Sequence, residues 1–204
     1  MEVKHFVLGN MQTNCYLIIN DTDCIIVDPG AQGKKLHRFL TEHELSLQAI
    51  LLTHGHFDHV GAVDYLYEKY HCPIYINQED IAMLKNPRLN LSTFEEPFIV
   101  NAPVLAAEET MKIAGIQMQW LHLPGHCPGA SMIYLVNDGI IFSGDVLFKG
   151  SIGRFDFPNS SKYDTLKSIE KIKALDFDAI VYPGHGPSTT LKEERVLNPY
   201  LQKS

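Results

Sequence analysis

Thr53-His54-Gly55-His56-Phe57-Asp58-His59-Val60-Gly61 places three histidines and a carboxylate within six consecutive positions. Neutral imidazole is the commonest metal ligand among side chains, and a carboxylate adds the hard oxygen that divalent first-row metals accept. The apolar run 49–52 precedes the cluster and an apolar-periodic segment follows it, so it sits at a strand-to-helix turn. Along an extended segment His54 and His56 point the same way, whereas Asp58 and His59 fall where the chain turns into the helix. Two pairs aimed differently can serve two metals. A solvated surface turn would explain one His-x-His pair, but it explains this setting poorly.

Working outward, residues 3–8, 15–20 and 24–28 alternate or run apolar between turn residues, which predicts a meander of three antiparallel strands. After Asp28-Pro29-Gly30, Leu36, Phe39, Leu40 and His43 recur at helical spacing. Beyond the cluster, a helix over 62–70 carries Val63, Leu66, Tyr67 and Tyr70 on one face, and 73–76 returns as a strand. The stretch 84–110 is broken by Pro87, Pro97 and Pro103 and reads as a long loop covering the active site. Residues 111–113, 116–121, 131–136 and 140–142 form a second run of strands. A helix over 163–175, a strand over 179–182 and a helical segment from 191 follow. This pattern predicts an α/β architecture of two mixed sheets packed together with helices outside, in one domain spanning 1–204.

With 204 residues, 45% of them hydrophobic and 20% charged, the composition is that of an ordinary globular protein with a sizeable core. A net charge of −7 leaves no broad basic field, so nucleic acid is not an expected partner. No apolar run is long enough to cross a bilayer, and Met1-Glu2-Val3-Lys4-His5 lacks the start of a signal peptide. A cytoplasmic protein is expected. Cys15, Cys24, Cys72 and Cys127 are scattered and read as reduced thiols.

Three later strand ends carry similar chemistry: Leu123-Pro124-Gly125-His126, Ser143-Gly144-Asp145 and Pro183-Gly184-His185-Gly186. In each, a glycine lets the backbone turn sharply so that the ligand points back toward the sheet. With the first cluster they supply five histidines and two aspartates at the mouths of strands, where functional groups normally sit. His5, His37, His43, His71 and His122 lack such settings. Arg154 can hold a substrate carboxylate or pair with Asp156, two equally favourable geometries. Asp28 reads first as part of an Asp-Pro-Gly turn and second as a hydrogen-bond partner of a ligand histidine. Cys127 reads as a packing or turn residue before an oxidation-sensitive one.

On His54, His56, Asp58 and His59, followed by His126, Asp145 and His185, the chain resembles the metallo-β-lactamase superfamily over about residues 14–186. The resemblance implies an αββα sandwich with its site at one edge of the sheets. It also implies one metal on His54, His56 and His126, a second on Asp58, His59 and His185, and Asp145 bridging. Two metals about 3.5–4 Å apart can share a water and lower its pKa toward roughly 7, giving a hydroxide that attacks a polarised carbonyl. The cations stabilise the oxyanion that develops. Asp58 doubles as the group that orients the water or moves its proton. Zinc is the expected metal, with iron or manganese also accepted by such a donor set.

Within that superfamily the chain is similar to the short bacterial members of the glyoxalase II group. The similarity rests on Thr13-Asn14-Cys15-Tyr16, Val27-Asp28-Pro29-Gly30, Pro124-Gly125-His126-Cys127-Pro128-Gly129, and Gly144 to Phe148 running into Gly150-Ser151-Ile152-Gly153-Arg154. It implies a small-molecule thioester substrate of the S-lactoylglutathione type. Three features depart from that group. The sequence ends nineteen residues after His185, without the helical C-terminal domain that contributes glutathione contacts in full-length members. Cys127 stands where threonine is common, and Phe155 where a small polar residue is common. Persulfide dioxygenases on a single iron keep much the same ligand pattern, and lactone hydrolysis uses the same activated water. A non-catalytic binding protein would be expected to lose ligands, whereas all seven are present.

Overall fold

The computed structural model describes residues 1–202. Strands β1 (Glu2–Leu8), β2 (Thr13–Asn20) and β3 (Asp23–Val27) form the expected meander, with Phe6 opposite Cys15 and Ile18 opposite Ile25. Helix α1 (Gly33–Glu42) buries Leu36 and Leu40 and leads to β4 (Ser46–Leu52), which lies parallel to β3. The short α2 (Phe57–Val60) and α3 (Val63–Tyr70) follow, then β5 (Ile74–Ile76) and β6 (Leu105–Ala106), each parallel to the strand before it. These strands make a six-stranded sheet in chain order.

The second sheet contains β7 (Thr110–Ile113), β8 (Ile116–His122), β9 (Ser131–Leu135) and β10 (Ile140–Gly144). After the hairpin β11 (Leu147–Phe148) and β12 (Ser151–Ile152) come α4 (Lys162–Lys173), β13 (Ile180–Pro183), β14 (Thr189–Thr190), α5 (Leu191–Leu197) and α6 (Pro199–Gln202). Its order is β14-β13-β10-β9-β8-β7. Antiparallel pairing of β8 with β9 and of β9 with β10, and parallel pairing of β10 with β13, send β8, β10 and β13 in one direction. Their carboxyl ends therefore share one edge of the sheet.

Three apolar layers account for the sandwich. Between the sheets, Ile18, Ile25 and Leu51 meet Met118, Ile133 and Phe142. Outside the first sheet, Leu17, Ile26 and Ile50 pack with Leu40 and Leu66 of the helices. Outside the second, Met132, Ile141 and Val181 pack with Ile169, Ile172 and Leu191. Neighbours such as Ile50 and Leu51 thus point to opposite faces and are both fully buried, which is why β4 reads as a continuous apolar run rather than an alternation. Each such side chain contributes about 1.5–3 kcal/mol.

Residues 84–110 depart from the expectation of a structureless loop. They include the 3-10 turn Ser92–Phe94, most of another at Met83–Lys85, the edge strand β6 and the start of β7, and they bury Leu84, Leu91, Val100 and Ala102. Side chains supply the hydrogen bonds that a regular element would supply. Asn90 Nδ2 and Ser92 Oγ donate to Phe98 O at 2.9 and 3.1 Å, and Asp64 accepts from the backbone N–H groups of Asn101 and Ala102 at 2.8 Å. Order of that kind leaves no periodicity in the sequence.

Candidate metal centre

Four strand ends meet at one edge. The turn after β4 carries His54 and His56, α2 carries Asp58 and His59, the turn after β8 carries His126, and the ends of β10 and β13 carry Asp145 and His185. One ring nitrogen each from His54, His56 and His126 lies within 4.8 Å of the others, and ligand atoms of Asp58, His59 and His185 group in the same way. Asp145 lies between the two triads. Its Oδ1 is 3.3 Å from His59 Nε2, and its Oδ2 is 3.5 Å from His126 Nε2 and 3.6 Å from His185 Nε2. The seven residues expected from the sequence are thus brought together.

In each of the three later turns a glycine does turn the chain, Gly125, Gly144 and Gly186 having φ of 144°, 48° and 75°. Gly184 serves differently. A Cβ there would lie 2.3 Å from Asp145 Oδ1, so the position must be bare to admit the carboxylate.

Hydrogen bonds set the ring tautomers. His59 Nδ1 donates to Asp28 Oδ2 at 3.0 Å, His126 Nδ1 donates to Arg154 O at 2.8 Å, and His54 Nδ1 donates to Thr53 Oγ1 at 3.1 Å. Each bond turns the opposite nitrogen, Nε2, toward the centre. Thr53 in turn donates to Asp28 from Oγ1 at 2.6 Å and from its backbone N–H at 2.8 Å. The structure therefore reverses the order of the two readings of Asp28, which is a buried anchor of His59 as well as a turn residue. Asp28 also lies within 4.8 Å of His54 and His59 as a third potential metal group, but these bonds to Thr53 and His59 occupy its carboxylate.

Charge divides the imidazoles. Burial pushes His54 well below the ordinary histidine value and His56 down to about 3, so both are neutral, the form that binds metal. Burial opposes protonation of His59 too, but Asp58, Asp145 and Asp28 outweigh it and hold that ring well above its ordinary value. His185 is raised against burial by its bond to Asp58 and by Asp145. Protons on His59 and His185 compete with a cation, and the competition eases as pH rises through their elevated values. Cation binding near neutral pH is expected to release protons, measurable by calorimetry in buffers of different ionisation enthalpy. Binding with no proton release would show both rings already neutral.

The donor set fits divalent cations on the structure's own terms. His54 Nε2, His59 Nε2 and Asp145 Oδ1 are buried without a hydrogen-bond partner, the 3.3 Å approach of the last two being misaligned for one. Each unmet buried group costs about 1–3 kcal/mol, and a shared cation would satisfy them together. Asp28→Asn is expected to weaken cation affinity about 10–100-fold through the loss of His59 orientation. Titration against a competing chelator measures this, and unchanged affinity would exclude the orienting role.

His56, Asp58, His126, Asp145 and His185 reach a cavity of about 420 Å³. The 84–110 segment contributes Leu91 and Phe94 to its wall, which places part of the expected cover beside the site. Arg154 also lines it, while its guanidinium holds Asp156 through Nε–Oδ1 at 2.9 Å and Nη2–Oδ2 at 3.0 Å. A second cavity of about 490 Å³ beside Trp120 and Lys171 contains none of the seven residues, so size alone does not locate the chemistry.

Sequence reasoning missed the supports of the site. Asp80 is fully buried and accepts from Gly55 N at 3.0 Å, Gly129 N at 2.5 Å and Cys127 Sγ at 3.0 Å, tying the His54–His56 turn to the His126 turn. Burial pushes its carboxyl upward, and nothing in Gln78-Glu79-Asp80 marks it. Thr13 Oγ1 donates to Asp58 Oδ2 at 2.7 Å, and Asn14 Nδ2 donates to Pro183 O at 2.9 Å and Gly186 O at 2.8 Å, flanking His185. Those last residues lie in the quoted Thr-Asn-Cys-Tyr motif, so a signal existed without a stated role.

Known proteins share the sequence pattern and the fold. The profile of the metallo-beta-lactamase superfamily matches residues 8–185. The chain is 36% identical over 206 residues to the probable metallo-hydrolase YqgX of Bacillus subtilis (strain 168), covering 98% of each protein. It is 35% identical over 208 residues to the hydroxyacylglutathione hydrolase GloC of Haemophilus influenzae, again covering 98% of each. Among solved structures, the BLEG-1 B3 metallo-beta-lactamase superposes with a TM-score of 0.93 at 38% identity over 99% of this chain and 100% of that one. TTHA1623 in a di-iron-bound form gives 0.88 at 38% identity over 97% and 100%.

Proposed function

Because the chain belongs to the metallo-β-lactamase superfamily, we propose that it is a metal-dependent hydrolase of small-molecule thioesters of the S-lactoylglutathione type. The observation that carries this reading is the pair of ligand triads sharing Asp145 at the floor of a cavity. His54, His56 and His126 would hold one divalent cation and Asp58, His59 and His185 the other, with Asp145 common to both. Zinc is the first candidate, and iron is an alternative supported by the di-iron form of the similar TTHA1623. Cations held there would supply Lewis acidity toward the carbonyl oxygen and lower the pKa of water toward roughly 7.

The protein's own groups do the rest. Asp58, fixed by Thr13 and 3.2 Å from His185 Nε2, orients the attacking water and takes its proton. Asp28 and the Arg154 carbonyl keep His59 and His126 in the ligating tautomer. Cys127 is fully buried against Asp80, which removes it as a nucleophile. Thiolate is a good leaving group, so the thioester needs no further acid. The relative named as a hydroxyacylglutathione hydrolase supports the thioester, and four free, buried cysteines support a reducing, cytoplasmic setting.

The test is metal quantitation on protein from its native host, followed by initial rates on thioesters, lactones and persulfides. Metal-dependent thioester hydrolysis is expected to dominate. One iron per chain with rapid oxygen uptake on glutathione persulfide would instead identify a persulfide dioxygenase, and dominant lactone turnover would identify a lactonase.

A further inference from the structure

The wall of the cavity above the His/Asp cluster is aromatic. Phe57 opens α2, Phe94 ends a 3-10 turn, Phe148 ends β11 and Phe157 precedes α4, so four separate segments deliver phenylalanines to one mouth, joined by Met11. Phe94 is 70% exposed and Met11 50%, so the protein itself leaves their apolar surface largely uncovered. The rings adjoin the ligand histidines. Phe157 stands edge-to-face at 5.4 Å from His56 and 5.7 Å from His126, and Phe148 at 6.1 Å from His185.

Polar groups on this wall are few. Beyond the cluster, the described lining residues include only Ser151 and Arg154 as polar side chains. Arg154 pairs with Asp156 in the open, both side chains more than 60% exposed, and its guanidinium carbon lies 4.7 Å over the Phe157 ring. A glutathionyl group carries two carboxylates, and among the described lining residues Arg154, already paired with Asp156, is the one Lys or Arg to receive them. Bringing a carboxylate against apolar rings without a partner is unfavourable, whereas an uncharged aromatic or branched group gains from burial there.

We propose that the mouth selects substrates whose body is uncharged and apolar, so that among thioesters it prefers those of apolar thiols to those of glutathione. The preference for an apolar group follows from the wall; its expression in turnover rests on the thioester reading. The two are separated by one experiment with two readouts on the metal-loaded full chain. Turnover compares S-benzyl thioacetate with S-acetylglutathione, which share the acyl group and differ in the thiol. Binding compares the unreactive sulfides 2-(benzylthio)ethanol and S-methylglutathione by calorimetry.

The benzyl compound is expected to be favoured by about tenfold or more in kcat/KM and in Kd, the scale of discrimination by a hydrophobic pocket. Phe94→Ser, at an exposed position that leaves the fold intact, is expected to shrink both ratios several-fold. Equal or tighter binding of S-methylglutathione would overturn the proposal. So would a preference for S-acetylglutathione that Arg154→Ala abolishes. If neither thioester is turned over while the sulfide preference persists, the selectivity of the mouth stands and the thioester reading alone fails.

Discussion

Asp145→Ala is expected to lower kcat by at least about a hundredfold, beyond the roughly 10–100-fold that loss of a mere hydrogen-bond partner of a metal ligand costs, and to reduce the metal retained per chain. Asp145 is the residue whose two oxygens face both triads, toward His59 on one side and toward His126 and His185 on the other. Its removal takes one negative charge from among five imidazoles and, on the proposed assignment, would leave each cation a donor short. Elemental analysis and turnover per bound metal distinguish lost occupancy from lost activation. His56→Ala should fall in the same direction through the first triad alone. Metal-dependent turnover retained in either variant would contradict the ligand assignment.

Gly30→Ala is expected to fail to fold, or to lose at least about 3 kcal/mol, the upper end of the usual cost of overpacking. A Cβ on Gly30 would lie 1.5 Å from the backbone carbonyl oxygen of Asp58 and 2.6 Å from its carbon. Those are backbone atoms, and no rotamer change relieves them. The turn after β3 or helix α2 must move, and these carry Asp28 and the Asp58–His59 pair. Because Asp28 holds His59 in place, either displacement separates the ring from its anchor. A denaturation midpoint and metal affinity equal to those of the unaltered protein would show that the two segments yield independently.

The layered fold and the turns bearing His and Asp were legible because their signals are local. Apolar patterning within β2, β3, β4, β8, β9 and β10 declares a strand, and glycine beside His or Asp at a strand end declares a turn carrying a donor. The short β6, β11, β12 and β14, of two residues each, are too brief to leave such a pattern. The segment between Leu84 and Ala102 left none either, since its order rests on Asn90, Ser92 and Asp64.

By itself the sequence determined that strand ends bearing five histidines and two aspartates would alternate with apolar strands and helices. Tertiary structure decided what those residues do to one another. Asp28 became the anchor of His59 because β3 and β4 run parallel with Val27 beside Leu51, which sets the residues that follow, Asp28 and Thr53, within hydrogen-bonding reach. Asp80 became the tie between the His54–His56 turn and the His126 turn by approaches that no local pattern encodes. Periodicity reports which face a side chain takes within its own element; a hydrogen-bond partner 25 or 31 residues away is fixed only when the register between strands is fixed.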